Sequence, residues 1–290
     1  MSDAVQYQLD EVRVTVVCEN TAVAEKTLGE QGLAILVECP AGSVLLDTGG
    51  GQTLLHNADQ LRLDLARVDA VVISHGHHDH SGGLADLLEL RGAVEVFGHP
   101  DIFRPRYSLR DGQEPRASGL QLAQAEYAAR GARWRLSAEA QTVLPGIWLT
   151  GGIARRNDFE WQDEGFRFDA DGSGRLEMDP IPDDQGLVVS TTDGLIVVSG
   201  CAHAGPVAMV RQAMEQAPGR PLLCLLGGLH LRRASEERLR LTARALRHMD
   251  VRSVWAGHCT GFPAQLVLAR EFASEFSPLG TGVLVEPIQA

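Results

Sequence analysis

Residues 74–83 read Ser-His-Gly-His-His-Asp-His-Ser-Gly-Gly, set between the apolar run Val68-Asp69-Ala70-Val71-Val72-Ile73 and the helix-like stretch Gly83-Leu84-Ala85-Asp86-Leu87-Leu88. No other feature constrains the fold as tightly, because strand, polar turn and helix must follow one another without a spacer. Such a junction is where an α/β scaffold presents functional groups. Four side chains of the turn, His75, His77, Asp79 and His80, are nitrogen and oxygen donors of borderline hardness. Donors of this kind suit zinc, manganese or iron and suit copper(I) or calcium poorly. Read as an extended turn, the spacing His-x-His-x-Asp-His sends alternate side chains to different sides and predicts two adjacent divalent ions. His78 falls outside the pattern and is expected to face solvent or substrate.

The remaining composition excludes more than it specifies. With 290 residues, 44% hydrophobic and 22% charged, the chain can bury a sizeable core. A formal charge of -12 argues against a nucleic-acid or anionic-membrane binder. An anionic small-molecule substrate stays compatible, since bound divalent ions reverse the local field. The N-terminus lacks a signal-peptide pattern and no apolar run reaches the length of a membrane span. Cys18, Cys39, Cys201, Cys224 and Cys259 show no Cys-x-x-Cys pairing. That fits a reducing compartment, and a cytoplasmic location is expected. Oligomeric state is left open.

Strands are expected at 12–18, 33–39, 43–46 and 94–97, with helices at 21–31, 83–90 and 120–130. In the second half, strands at 186–190 and 195–199 flank Asp193-Gly194, read as a two-residue hairpin turn. Helices at 206–216, 235–248 and 263–274 then alternate with strands at 222–226 and 252–256. Two halves, each of sheet plus helices, predict an α/β fold in one domain over 1–290, a four-layer αββα sandwich. Between them, 157–185 carries ten acidic residues against Arg167 and Arg175. Phe159, Trp161, Phe166 and Phe168 separate it from a disordered linker. It is expected to be a flap or loose hairpin, either mobile over the site or pinned by its aromatics. Asp169-Ala-Asp171-Gly-Ser173-Gly resembles the start of a calcium loop, but position twelve is Pro180 instead of glutamate, so no calcium site is assigned.

A dinuclear centre needs ligands from distant sequence. His203, in Gly-Cys-Ala-His-Ala-Gly, and His258, in Ala-Gly-His-Cys-Thr-Gly, each follow an apolar strand, where α/β sheets collect functional groups. His230, in Gly-Gly-Leu-His-Leu, ends a third such strand. It is read as a proton donor or substrate-binding group, with a ligand or structural role as the alternatives. Asp47, in Leu-Leu-Asp-Thr-Gly-Gly, is read as the acceptor that orients a ligand histidine, the alternative being a turn cap.

These segments together resemble the metallo-β-lactamase fold superfamily over nearly the whole chain. Cys18-Glu-Asn, Gly200-Cys-Ala-His-Ala-Gly, Gly227-Gly-Leu-His-Leu and Gly257-His-Cys-Thr-Gly make it similar to the subgroup labelled 7,8-dihydropterin-6-methyl-4-(β-D-ribofuranosyl)aminobenzene-5'-phosphate synthase-like. The resemblance implies an αββα sandwich with His75 and His77 on one metal, Asp79 and His80 on the other, and His203 and His258 completing the two sets. Many superfamily members bridge both metals with an aspartate where this chain has Cys201. A thiolate there would favour zinc or iron, whereas a neutral thiol would weaken the second metal. The segment Leu149-Thr-Gly-Gly-Ile-Ala-Arg-Arg also lacks a histidine that many members carry, and His203 is taken to substitute.

The chemistry implied is hydrolysis by metal-activated water, with Asp79 and His230 as the catalytic side chains. Two divalent ions are expected, zinc first, then manganese or iron. Arg104, Arg106 and Arg110, and above all Arg155 and Arg156, offer planar forks for a phosphate or carboxylate. A phosphodiester or phosphorylated small molecule is therefore the expected substrate. The subgroup's label implies a different reaction, a synthase joining an aminobenzoate to a phosphoribosyl group. Iron-dependent oxidation on the same fold is a third reading, against which His77 stands where flavodiiron relatives carry a carboxylate. A non-enzymatic binding module is a fourth, against which the retained ligands argue.

Overall fold

Alternation along the apolar strands sorts their side chains into layers, as a period of two requires. Ile35, Val37, Val44, Leu46, Ala70 and Val72 join Leu187, Val189, Ile196 and Val198 in one buried cluster. Their sequence neighbours Leu36, Leu45, Val71 and Ile73 point the other way, onto Leu54, Leu84, Leu87 and Leu88. On the far side, Val188, Leu195, Val197 and Val254 pack against Val207, Leu239, Leu246 and Leu268. Three apolar layers separated by two sheets make a four-layer αββα sandwich. This computed structural model describes residues 7–109, 112–160, 165–170 and 172–285.

The first sheet has the order Leu284–Val285, Arg13–Cys18, Ala34–Cys39, Gly42–Leu46, Ala70–Val72, Val94–Gly98, Ala132–Leu136. The second runs Phe276–Pro278, Ser253–Gly257, Leu222–Gly228, Leu195–Ser199, Gly186–Ser190, Ile147–Leu149, Gln141–Leu144. Gly42–Leu46 through Ala132–Leu136 are parallel, as are Leu195–Ser199 through Phe276–Pro278. Parallel strands are covered on both faces, which explains why 195–199 and 222–228 are buried throughout. Asp47, the histidine loop, Cys201, His230 and His258 all lie just beyond the carboxyl ends of these parallel strands.

Several local expectations give way to tertiary contacts. The helix expected over 21–31 is a loop. Lys26 has φ 65°, and the Asn57 side chain accepts from Leu28 N at 2.8 Å and donates to Leu28 O at 2.9 Å, so the backbone's polar groups are met from outside the segment. Asn57 itself sits on a helix, Leu54–Gln60, that the sequence reading omits. The turn between Gly186–Ser190 and Leu195–Ser199 is longer than the expected two residues, since Ser190 pairs with Leu195 and leaves 191–194 to make it.

The acidic excursion is pinned. Phe166–Asp169 pairs with Leu176–Met178 on one edge and with Arg106–Ser108 on the other, and Arg116–Ala117 completes a third, four-stranded sheet. Arg106, expected among the substrate-binding forks, is instead the buried rivet of this sheet. Its Nε donates to Asp179 Oδ2 and its Nη1 to Asp183 Oδ2, each at 2.7 Å. Arg104 pairs with Asp101 at 2.9 Å and lies over the Phe168 ring. Arg110, Trp161 and Asp171 fall outside the described residues.

Candidate metal centre

The loop after Ala70–Val72 changes conformation midway. His77 is extended, with φ -84° and ψ 147°, and caps a single helical turn, His78–Ser81. The extended turn inferred from the spacing holds at His77 alone: His75 lies in a bend before it, while Asp79 and His80 belong to the helical turn, which is what sets the two pairs apart. Asp183 Oδ2 accepts from Gly76 N at 2.7 Å, tying this loop to the Arg106 ion pair. Gly200 is required behind it, since a Cβ there would collide with Ser74 Oγ and Asp47 Oδ2.

The six expected ligands converge around Cys201. His75 Nε2 lies 2.9 Å from His77 Nδ1 and 3.2 Å from His203 Nε2. His80 Nε2 lies 3.1 Å from both His258 Nε2 and Cys201 Sγ. Asp79 approaches His258 Nε2 at 3.6 Å and His80 Nε2 at 4.0 Å. The ligand atoms of His75, Cys201 and His203, and separately of His80, Cys201 and His258, fall within 4.8 Å of one another. Cys201 is common to both sets, so the residue that replaces the usual carboxylate occupies the junction.

The outer nitrogens are already engaged. His75 Nδ1 meets Ser74 Oγ at 2.9 Å, His80 Nδ1 meets Asp47 Oδ2 at 2.7 Å, and His258 Nδ1 meets Asn20 Oδ1 at 2.9 Å. His77 Nε2 is buried with no hydrogen-bond partner among the described residues. Imidazoles fixed at one nitrogen and crowded together through the other are what metal ligation demands, so the residues present fit a pair of divalent ions. Asp47, Ala202, His230 and His258 adopt positive φ, between 47° and 60°, which turns each chain segment sharply off its strand end.

The charge states follow from burial and neighbours. Burial keeps His75 and His203 well below their ordinary pKa, with adjacent imidazoles adding to it, and lowers His258 as well. Burial, then Arg106, takes His77 down to about 3. For Asp79 burial acts upward, but His80, His258 and His77 outweigh it and bring the carboxyl to about 2. His80 is the exception. Burial lowers it, yet the Asp47 carboxylate reverses that and raises it to about 9. Neutral imidazoles around an ionised carboxylate are ready to bind a cation, and His80 must give up a proton to do so.

A cavity of about 520 Å³ opens over the centre, lined by His77, Asp79, His203, His230 and His258 and walled by Phe166 of the small sheet. The Phe166 ring lies 4.4 Å from that of His77 and 5.4 Å from that of His203. His78, expected to face solvent or substrate, lines the same cavity. Arg155 and Arg156 do not line it. Arg155 donates to Pro180 O at 2.6 Å and Arg156 pairs with Glu215, because the chain at 154–157 runs along the helix Pro206–Gln216. Among the described residues, the arginines that do line the cavity are Arg116, Arg232 and Arg233. Sequence reading passed over them, and also over Ser74, Asp183 and Cys259, because nothing local marks a residue whose partner lies far along the chain. Glu19, which accepts from His258 N, and Asn20 had a signal only in the Cys-Glu-Asn motif.

Comparison with known proteins bears directly on this geometry. The profile of the metallo-β-lactamase superfamily matches residues 27–247. A 7,8-dihydropterin-6-methyl-4-(β-D-ribofuranosyl)-aminobenzene-5'-phosphate synthase of Methanocaldococcus jannaschii is 29% identical, across 96% of this chain and 98% of its own. Among solved structures, Tm1679, a metal-dependent hydrolase of the β-lactamase superfamily, superposes with a TM-score of 0.81 at 26% identity, covering 97% of this chain and 100% of that one. A diphosphatase from the PhnP family shares the fold, with a TM-score of 0.52 at 12% identity over 96% of this chain and 99% of its own.

Proposed function

The chain belongs to the metallo-β-lactamase superfamily, an enzyme superfamily, and we propose that it is a metal-dependent hydrolase acting on a phosphodiester or other phosphorylated small molecule. The observation that carries the reading is the convergence of His75, His203, His80 and His258 through Nε2, with three of the four Nδ1 atoms tied to Ser74, Asp47 and Asn20. In this proposal His75, His77 and His203 hold one divalent ion, and Asp79, His80 and His258 hold the other, zinc being the first candidate. Bound there, the ions supply Lewis acidity and acidify water at neutral pH.

The chain's own groups divide the remaining work. Asp79, ionised and partly open to the cavity, takes up a proton during the reaction. His230, whose ring lies 4.0 Å from that of His203, presents a ring N–H to the leaving oxygen from the cavity side. Arg116, Arg232 and Arg233 provide planar donors for the substrate's phosphate, a task the sequence reading gave to Arg155 and Arg156. Phe166 closes one wall and sheds water from the centre.

A second reading is favoured by one specific observation, the near full-length match to the synthase whose named product carries a ribose 5'-phosphate. On that reading the same cavity arginines would bind the phosphate, and ions held by the same histidines would supply Lewis acidity for a departing pyrophosphate. Metal analysis combined with two assays separates the readings. Turnover of bis(p-nitrophenyl) phosphate by the metal-loaded protein is the expected result. A loaded protein inert toward that ester, but releasing pyrophosphate as it joins a dihydropterin-methyl diphosphate to a ribofuranosylaminobenzene 5'-phosphate, would replace hydrolase by synthase.

A further inference from the structure

Beyond the two histidine-based sets, a third group of ligating atoms closes on Cys201: the ligand atoms of Cys201, His230 and Cys259 lie within 4.8 Å of one another. Sequence reading placed Cys201 and His230 at strand ends but did not bring Cys259 to them. Cys201 follows Leu195–Ser199, His230 follows Leu222–Gly228 and Cys259 follows Ser253–Gly257, so three adjacent parallel strands each contribute one donor. His230 holds φ 47° and donates its backbone N–H to Cys259 Sγ at 3.2 Å. Gly228 keeps the space between them clear, since a Cβ there would sit 2.8 Å from Cys259 Sγ. His230 and Cys259 are partly exposed and both line the cavity, whereas Cys201 is buried at its floor.

We propose that Cys201, His230 and Cys259 form a sulfur-rich third position for a thiophilic divalent ion, joined to the two histidine-based sets through the Cys201 sulfur. Two sulfurs and one nitrogen at tetrahedral bond lengths of about 2.3 and 2.1 Å stand roughly 3.6–3.8 Å apart, so the set must contract by about 1 Å at most. Soft thiolates select zinc or cadmium over manganese, magnesium or calcium. With three protein donors, the fourth position faces the cavity, as in zinc sites that meet substrate.

This inference does not depend on hydrolysis. Metal-free protein is titrated with cadmium while the ultraviolet sulfur-to-cadmium charge transfer is followed, and native mass spectrometry counts the ions. The expected result is a band worth two thiolates. Cys259→Ser should remove about half of it and one ion, while Cys18→Ser leaves both unchanged. X-ray absorption on the cadmium-loaded wild-type protein needs no variant and should find a cadmium with two sulfur neighbours. A wild-type protein without the band, a Cys259→Ser protein with the full band, or no ion bearing two sulfurs each overturns the proposal. Ions bound through nitrogen and oxygen alone would sink it and spare the hydrolase reading. A two-sulfur ion in a protein inert toward bis(p-nitrophenyl) phosphate would do the reverse.

Discussion

His80 is gripped at both ring nitrogens, by Asp47 Oδ2 at 2.7 Å and by the His258 and Cys201 atoms at 3.1 Å. His80→Ala is therefore expected to lower metal occupancy while leaving the far-ultraviolet circular dichroism intact, and full occupancy of both sets would refute its assignment. Asp47→Ala, which frees His80 to rotate, should cost ~10–100-fold in metal affinity by competition with a chelator. Arg106 is a residue of another kind. Burial pushes the Asp183 carboxyl upward, but Arg106 reverses this and holds it below its ordinary 3.8. A depressed acid stabilises the fold fully above its unfolded pKa, and that contribution is lost as the pH falls through the folded value. Arg106→Met should cost about 3–5 kcal/mol in urea unfolding and flatten the loss of stability below about pH 4.

At the scale of elements, the third sheet is the part that the sequence described least well. Its strands are short, two to four residues, and mostly half-buried or exposed, so neither alternation nor length announces them. What fixes the excursion is the pairing of Phe166–Asp169 with Arg106–Ser108, some sixty residues earlier. Phe166 then stands over His77 and His203 as a wall of the cavity. Phe166→Ala should raise KM several-fold for a phosphodiester with a smaller change in kcat, since the ring shapes the cavity without supplying a ligand. An unchanged KM would remove the excursion from the site. The helices Pro206–Gln216 and Glu236–His248, by contrast, match expectation within a residue or so. Their length and apolar spacing are local properties, unlike the loop at 21–31, whose backbone is met by Asn57.

For the whole molecule, the centre stitches the two halves together. His75 and His80 come from the first sheet's side, and Cys201, His203 and His258 from the second's. Ions that bind only this assembled arrangement stabilise it, by about 2.7 kcal/mol for each site at an ion concentration ~100 times its Kd. Chelation should accordingly lower the melting temperature by several degrees, and replenishing zinc should restore it. A melting temperature indifferent to both would mean that the imidazoles hold no ion across the sheet interface. The inter-sheet layer itself is apolar, and Leu46→Ala, at 0% exposure, should cost about 2–5 kcal/mol wherever the site is loaded or empty.

The αββα layering and the histidine loop are legible locally, because strand alternation, helix spacing and the chemistry of His75, His77, Asp79 and His80 are written within a few residues of one another. The positions of His203, His230 and His258 at strand ends are legible in the same way. Which arginines reach the cavity, that Arg106 is a buried rivet, and that Cys259 stands beside Cys201 and His230 come from long-range packing alone. Those facts depend on distances between strands that are neighbours in a sheet but remote along the chain, and no local pattern encodes them.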